Sequence, residues 1–147
     1  MDRFDERILR ELKIDGRLSN VQLADRIGLS ASATLRRVQE LEKSKVIAGY
    51  RAVLNPAACG VEFVAYVSIG LSDHSKASQL HFEEAVSVAK EVVECHNITG
   101  SSEYLLRVET KSLSAYKQFH INVIGSIPQV NTVATSVVMD SPKDERA

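Results

Sequence analysis

Phe4, Ile8, Leu9 and Leu12 recur at three- and four-residue spacing, with Asp5 and Glu6 near the start where a helix dipole favours carboxylates. The pattern predicts an amphipathic helix that stops around Asp15-Gly16. Ser19-Asn20-Val21-Gln22 then has the form of a capping box, a serine oxygen for the third amide and a glutamine reaching back to the cap. A second helix is expected there, short, with Val21, Ala24 and Ile27 apolar and Gly28 supplying the left-handed closing residue. Ser30 can cap a third helix, with Leu35, Val38 and Leu41 on one side and Arg36, Arg37 and Glu40 elsewhere.

From Val46 the pattern turns extended, and Asn55-Pro56 marks a linker, because proline disfavours helix in the residue before it. Val61, Phe63, Ala65, Val67, Ile69 and Leu71 then alternate with Glu62, Val64, Tyr66, Ser68 and Gly70, which is strand periodicity. After a polar loop, Ala77, Leu80, Ala85 and Val88 predict the apolar face of a helix. Residues 92–99 and 104–110 read as strands joined by Gly100-Ser101-Ser102-Glu103. Ser112 or Ser114 can cap a further helix burying Tyr116, Phe119, His120, Val123 and Ile124, and a last strand covers 130–139. The expected fold is α+β: an N-terminal helix-turn-helix, winged-helix-like domain over 1–50, a linker strand over 51–60, a ferredoxin-like βαββαβ domain over 61–140 and a tail over 141–147. Both helices of that second domain should lie on one sheet face. Val64 and Tyr66 on the first strand, and Val133, Ala134, Val137 and Val138 on the last, make both faces look apolar, which predicts a second copy covering the uncovered one.

Charge sharpens this division. The chain of 147 residues carries a formal net charge of −1, yet residues 1–60 hold 11 Lys and Arg against 8 Asp and Glu, while residues 61–147 hold 7 against 11. A basic head on an acidic body suits a polyanion-binding unit joined to something else. In a helix-turn-helix the first turns of the second helix meet DNA, which here selects Ser30, Ser32, Ala33, Thr34, Arg36 and Arg37, with Asn20 opening the preceding helix. Small residues admit the backbone, arginines reach guanine edges or phosphates, and serines donate to phosphate oxygens.

Other chemistries find little support in the sequence. Four histidines, His74, His81, His96 and His120, stand in no ligand-spaced motif, so no metal is expected. There is no GxSxG and no glycine-rich phosphate loop, so neither catalysis nor a cofactor is expected. Aromatics make up 5% of residues and the paired aromatic motifs of RNA-recognition domains are missing. Phe63–Leu71, interrupted by Ser68 and Gly70, is far below the roughly 18–20 residues of a membrane span, and no membrane partner is expected. The charged opening Met1–Glu6 and two cysteines without CxxC spacing fit a reduced, cytoplasmic protein. A cytoplasmic small-molecule-binding regulatory module whose head contacts protein is the alternative that these residues leave open.

Phe4-Asp5-Glu6-Arg7-Ile8-Leu9, Asp15-Gly16-Arg17-Leu18-Ser19, Ile27-Gly28-Leu29-Ser30, Leu35-Arg36-Arg37-Val38 and Ile47-Ala48-Gly49-Tyr50 resemble the opening of the Lrp/AsnC (feast/famine) family of bacterial transcription regulators. Gly100, Tyr104-Leu105-Leu106-Arg107-Val108, Pro128-Gln129-Val130 and Val137-Val138-Met139 resemble its effector-binding domain. The resemblance implies a regulator that binds double-stranded DNA, dimerises through its C-terminal sheet, assembles dimers into octamers and responds to an amino acid or related small molecule at the contact between dimers. It places the effector at Thr99, Gly100, Ser101, Ser102, Glu103 and Tyr104, with Thr135 and Ser136 opposite. Glu103 could serve a ligand ammonium. The sequence departs from the family's pattern at Glu103, where Asp is usual, at Ala31 or Ala33, where a proline is common, at Ser44-Lys45, in place of a glycine-containing turn, and at Gln129, in place of a glycine.

Overall fold

The computed structural model describes residues 1–145. Met1–Val53 forms one compact unit and Leu54–Asp144 another. The first contains three helices: α1 (Arg3–Ile14), α2 (Asn20–Ile27) and α3 (Ala31–Lys43). Asp2 caps α1, accepting from the Phe4 and Asp5 amides, and Asp5 returns the bond to the Asp2 amide. Ser19 and Gln22 form the expected box on α2, and Gly28 closes it at φ +79°. Ile8, Leu23, Ile27, Val38 and Leu41 make the core, with Leu9, Leu12, Leu18, Leu29 and Ile47 around it.

The face that α3 buries is Thr34, Val38 and Leu41, spaced i, i+4, i+7, while Leu35 is 41% exposed. A search for apolar letters picks Leu35. The helix instead seats Thr34, whose hydroxyl is satisfied internally by donating to the Ser30 carbonyl at 2.9 Å. After α3, Lys45 takes a left-handed conformation, φ +62°, where glycine is the usual residue. Among the described residues no strand forms over 45–62, so the head has no wing and the expected linker strand is absent. Pro56 instead leads into a 3₁₀ turn at Ala57–Cys59, closed by Gly60 at φ +78°.

The second unit runs β1 (Phe63–Leu71), α4 (Lys76–Ser87), β2 (Val92–Asn97), β3 (Tyr104–Thr110), α5 (Leu113–Asn122) and β4 (Val130–Val137). The antiparallel sheet has the order β2-β3-β1-β4, with β1 central and bonded to β3 and β4. Register fixes its faces. Ala65, Val67, Ile69 and Leu71 align with Leu106, Val108 and Tyr104 and bury against Phe82, Val86, Tyr116 and Phe119. On α4 the buried positions are Ser78, Phe82 and Val86, not the expected face, since Leu80 is 47% and Val88 85% exposed. On β4, Val133 and Val137 pair with Ile69 and Ala65 and so lie on the helix face. The face away from the helices therefore carries Thr132, Ala134 and Ser136 from β4 with Val138 just beyond it, which corrects the expectation that Val133 and Val137 lie on the surface offered to a second copy. No helix among the described residues is long and apolar enough to cross a membrane.

Candidate functional site

The turn Gly28-Leu29-Ser30 delivers the chain into α3, whose N-terminus is an exposed polar ridge. Ser30 Oγ accepts from the Ala33 amide at 3.2 Å and lies 3.3 Å from Ser32 Oγ, so its own proton is free for Ser32 or an incoming acceptor. Ser30, Ser32 and Arg36 are exposed, Ala33 and Asn20 half-buried. The Arg36 guanidinium makes no hydrogen bond or ion pair with another described residue. An N-terminal helix end, hydroxyl donors and an unengaged guanidinium together suit phosphate oxygens and base edges.

Two expected members of this set are placed otherwise. Thr34 is fully buried and cannot meet a ligand. Arg37 turns inward toward α1: its Nη1 lies 3.0 and 2.9 Å from the two Asp2 oxygens and 2.8 Å from Asp5 Oδ1, with the guanidinium 5.4 Å from the Phe4 ring centre. Asp5 and then Asp2 raise the Arg37 pKa, and the Asp5 amide, with lesser help from Arg37, lowers that of Asp2. These carboxylates are not among the expected partners of Arg37, although their Asp-x-x-Asp spacing is a legible capping box. One hundred degrees of helix separate Arg36 from Arg37, enough to give them different surroundings.

The second candidate is the loop from Ile98 to Glu103 between β2 and β3. Thr99, Gly100 and Ser101 are exposed, Ser102 and Glu103 half-buried, and Gly100 has φ +114°. Glu103 is wired to the end of β1: its amide donates to the Ile69 carbonyl at 2.9 Å and its Oε2 accepts from the Leu71 amide at 2.8 Å. Its Oε1 lies 3.0 Å from His74 Nδ1. Gly70 lets this happen, since a Cβ there would overlap Thr132 Oγ1 and touch the Glu103 carboxylate. Thr132 is therefore the β4 neighbour of the loop.

Tyr104, Thr135 and Ser136 do not join Glu103. Tyr104 is buried against Phe82, ring centres 4.6 Å apart, and its hydroxyl donates to Glu83 Oε1 at 2.6 Å. Burial, then Glu83, pushes its pKa well above the ordinary range. Thr135 hydrogen-bonds the Tyr116 hydroxyl on the helix face, whereas Ser136 pairs with Tyr66 across the open face. Ser136 lies four residues from Thr132, roughly 13 Å along the strand. A single chain does not bring them to the loop.

The open face itself holds a buried charge. Arg107, 5% exposed, donates from Nε to Glu109 Oε2 at 3.1 Å and from Nη1 to the Tyr66 hydroxyl at 3.0 Å, and it stacks 5.4 Å from the Tyr66 ring centre. Val64, Leu105, Ala134 and Val138 flank it. Among the described residues no group of His, Cys, Asp and Glu is placed to hold a metal ion.

Residues 1–42 match the AsnC-type helix-turn-helix domain and residues 64–147 the Lrp/AsnC ligand binding domain. The proline dehydrogenase transcriptional activator of Rhizobium radiobacter is 41% identical over 144 residues, 98% of this chain and 92% of that protein. The leucine-responsive regulatory protein of Escherichia coli K12 is 38% identical over 143 residues, covering 97% and 87%. Among solved structures, a transcriptional regulator of Neisseria meningitidis in complex with L-Met superposes with a TM-score of 0.94 at 30% identity, covering 98% of this chain and 93% of that one. An AsnC family regulator from Agrobacterium tumefaciens gives 0.92 at 35%, covering 98% and 94%.

Proposed function

The chain belongs to the Lrp/AsnC family of transcriptional regulators, and from that premise we propose that it reads DNA through the α3 ridge and responds to an amino acid at the Glu103 loop. It is a regulator rather than an enzyme. The observation that carries the DNA assignment is the exposed N-terminus of α3, where Ser30, Ser32, Ala33 and Arg36 stand together after the left-handed Gly28. Small side chains allow close approach, the serines donate to phosphate, and Arg36 supplies the free cation. Asn20, half-buried at the start of α2, is assigned a contact with the DNA backbone.

On the effector side, Thr99, Gly100, Ser101 and Ser102 offer hydroxyls and amides to a ligand carboxylate, and Glu103 Oε1 takes the ammonium in place of His74. Oε2 stays on the Leu71 amide, so the loop keeps its shape. The L-Met complex of the Neisseria regulator supports an amino acid as the class of ligand. A second copy covers the open sheet face around Tyr66 and Arg107. Dimers gather into octamers, and the protein acts in the cytoplasm on double-stranded DNA.

A thermal-shift screen against the twenty amino acids tests the effector assignment, because a ligand that binds only the folded state raises the melting temperature. The best hit, measured by calorimetry, should bind Glu103→Gln weaker by about 1.5–3 kcal/mol, the charge-assisted half of one contact. Equal affinities would place the ligand elsewhere. Titration of duplex binding against salt tests the head: affinity should fall steeply, as counterion release requires, and a flat response would favour a head that contacts protein.

A further inference from the structure

Arg37 lies one residue from the exposed Arg36 and carries the same charge, yet its surroundings give it another task. Its Nη1 meets both oxygens of Asp2 and one of Asp5 within 3.0 Å, and its guanidinium covers Phe4. Asp2 is simultaneously the N-cap of α1, and Asp5 is the third residue of that capping box. One network thus fixes the first turn of α1 and clamps it to the middle of α3. Arg37 stands three residues after Thr34 and four before Leu41, so it flanks the buried strip of α3 and extends that apolar contact with a polar one to the first turn of α1. Apolar contacts leave rotation and sliding of a helix weakly specified, whereas a three-point, charge-assisted contact fixes both.

We infer that Arg37 is a positioning residue for DNA recognition: tied to Asp2 and Asp5, it sets the angle at which α3 presents Ser30, Ser32, Ala33 and Arg36, and it makes no contact with DNA itself. This rests on the reading of α3 as the DNA-contacting helix. Base readout needs side chains held to within about half an ångström, and phosphate attraction does not. A loosened α3 therefore loses specificity while keeping general affinity. The lowered pKa of Asp2 and the raised pKa of Arg37 agree with a contact made between charged forms.

The test uses the full chain and two duplexes of equal length, one selected by the wild-type protein from a random pool and one of arbitrary sequence. Arg37→Ala should lower affinity for the selected duplex on the order of tenfold and leave the arbitrary duplex and the salt slope unchanged. A slope reduced by about 1, with both duplexes weakened alike, would show a phosphate contact and overturn the inference. So would unchanged affinity for both. Asp5→Asn retains the arginine in the chain but removes the charge of its 2.8 Å partner, and it serves if Arg37→Ala fails to fold. The clamp predicts the same selective loss, while a freed arginine that reaches phosphate would bind both duplexes more tightly. Arg37→Lys, which keeps the charge without the planar fork, should fall between wild type and alanine. A wild-type chain that selects no duplex at all would overturn the reading of the head, and the positioning role with it.

Discussion

Lys45 shows how a single residue can oppose its own backbone. It occupies the position after the α3 cap at φ +62°, where a side chain costs about 1 kcal/mol or more that glycine avoids. Lys45→Gly should stabilise the head by about 0.5–1 kcal/mol in urea unfolding, the gain trimmed by glycine's looser unfolded state. Asp2 makes a different kind of claim. Its folded pKa lies below the ordinary 3.8, so its contribution is complete above that value and is lost as pH falls through the folded pKa. Asp2→Asn should therefore melt below wild type at pH 7, and the difference should shrink as pH falls below 3.8 and through the lower folded pKa. The capping Ser19 and Ser30 and the left-handed Gly28 were legible in the sequence because each acts through its own backbone. Arg37 was not, because its partners stand 32 and 35 residues away and are set by packing.

At the scale of elements, helix α4 separates existence from phase. Its presence was plain from the sequence, yet of the face expected to bury, Ala77, Leu80, Ala85 and Val88, only Ala85 packs against the core while the other three are exposed. Ser78 occupies the buried strip instead, its hydroxyl satisfied by Asp73 at 2.8 Å, just as Thr34 does in α3. A pattern read from apolar letters misses a buried hydroxyl residue and rotates the helix by a residue or two. The consequence is measurable. Phe82→Ala should cost about 3–5 kcal/mol in chemical denaturation, and Leu80→Ala less than about 1. The reverse order would restore the original phase. The strands fared better because their period of two matches the letters, except on β4, where alternate positions are both partly apolar and only pairing to β1 tells the faces apart.

For the whole molecule, the order of elements fixed the ferredoxin-like topology and the change of charge separated the two units, whereas the second copy proposed for the open face lies beyond what one chain's pattern can specify. Arg107, Tyr66 and Glu109 show that this face is built rather than merely solvated. A fragment of residues 54–147 should fold, fail to bind DNA and self-associate at micromolar concentration. Sedimentation as a stable monomer would refute the open face as the contact. The central place of β1 also has a consequence for the order in which the protein comes into being. Its partners on β4 lie about 60–70 residues downstream, whereas the head closes within its own first few dozen residues. At synthesis rates of about 5–20 residues per second, the apolar β1 waits roughly 3–14 s for the strand that completes its sheet. A nascent chain thus completes its helix-turn-helix before its ligand-binding domain, and β1 stays without its full sheet throughout that interval.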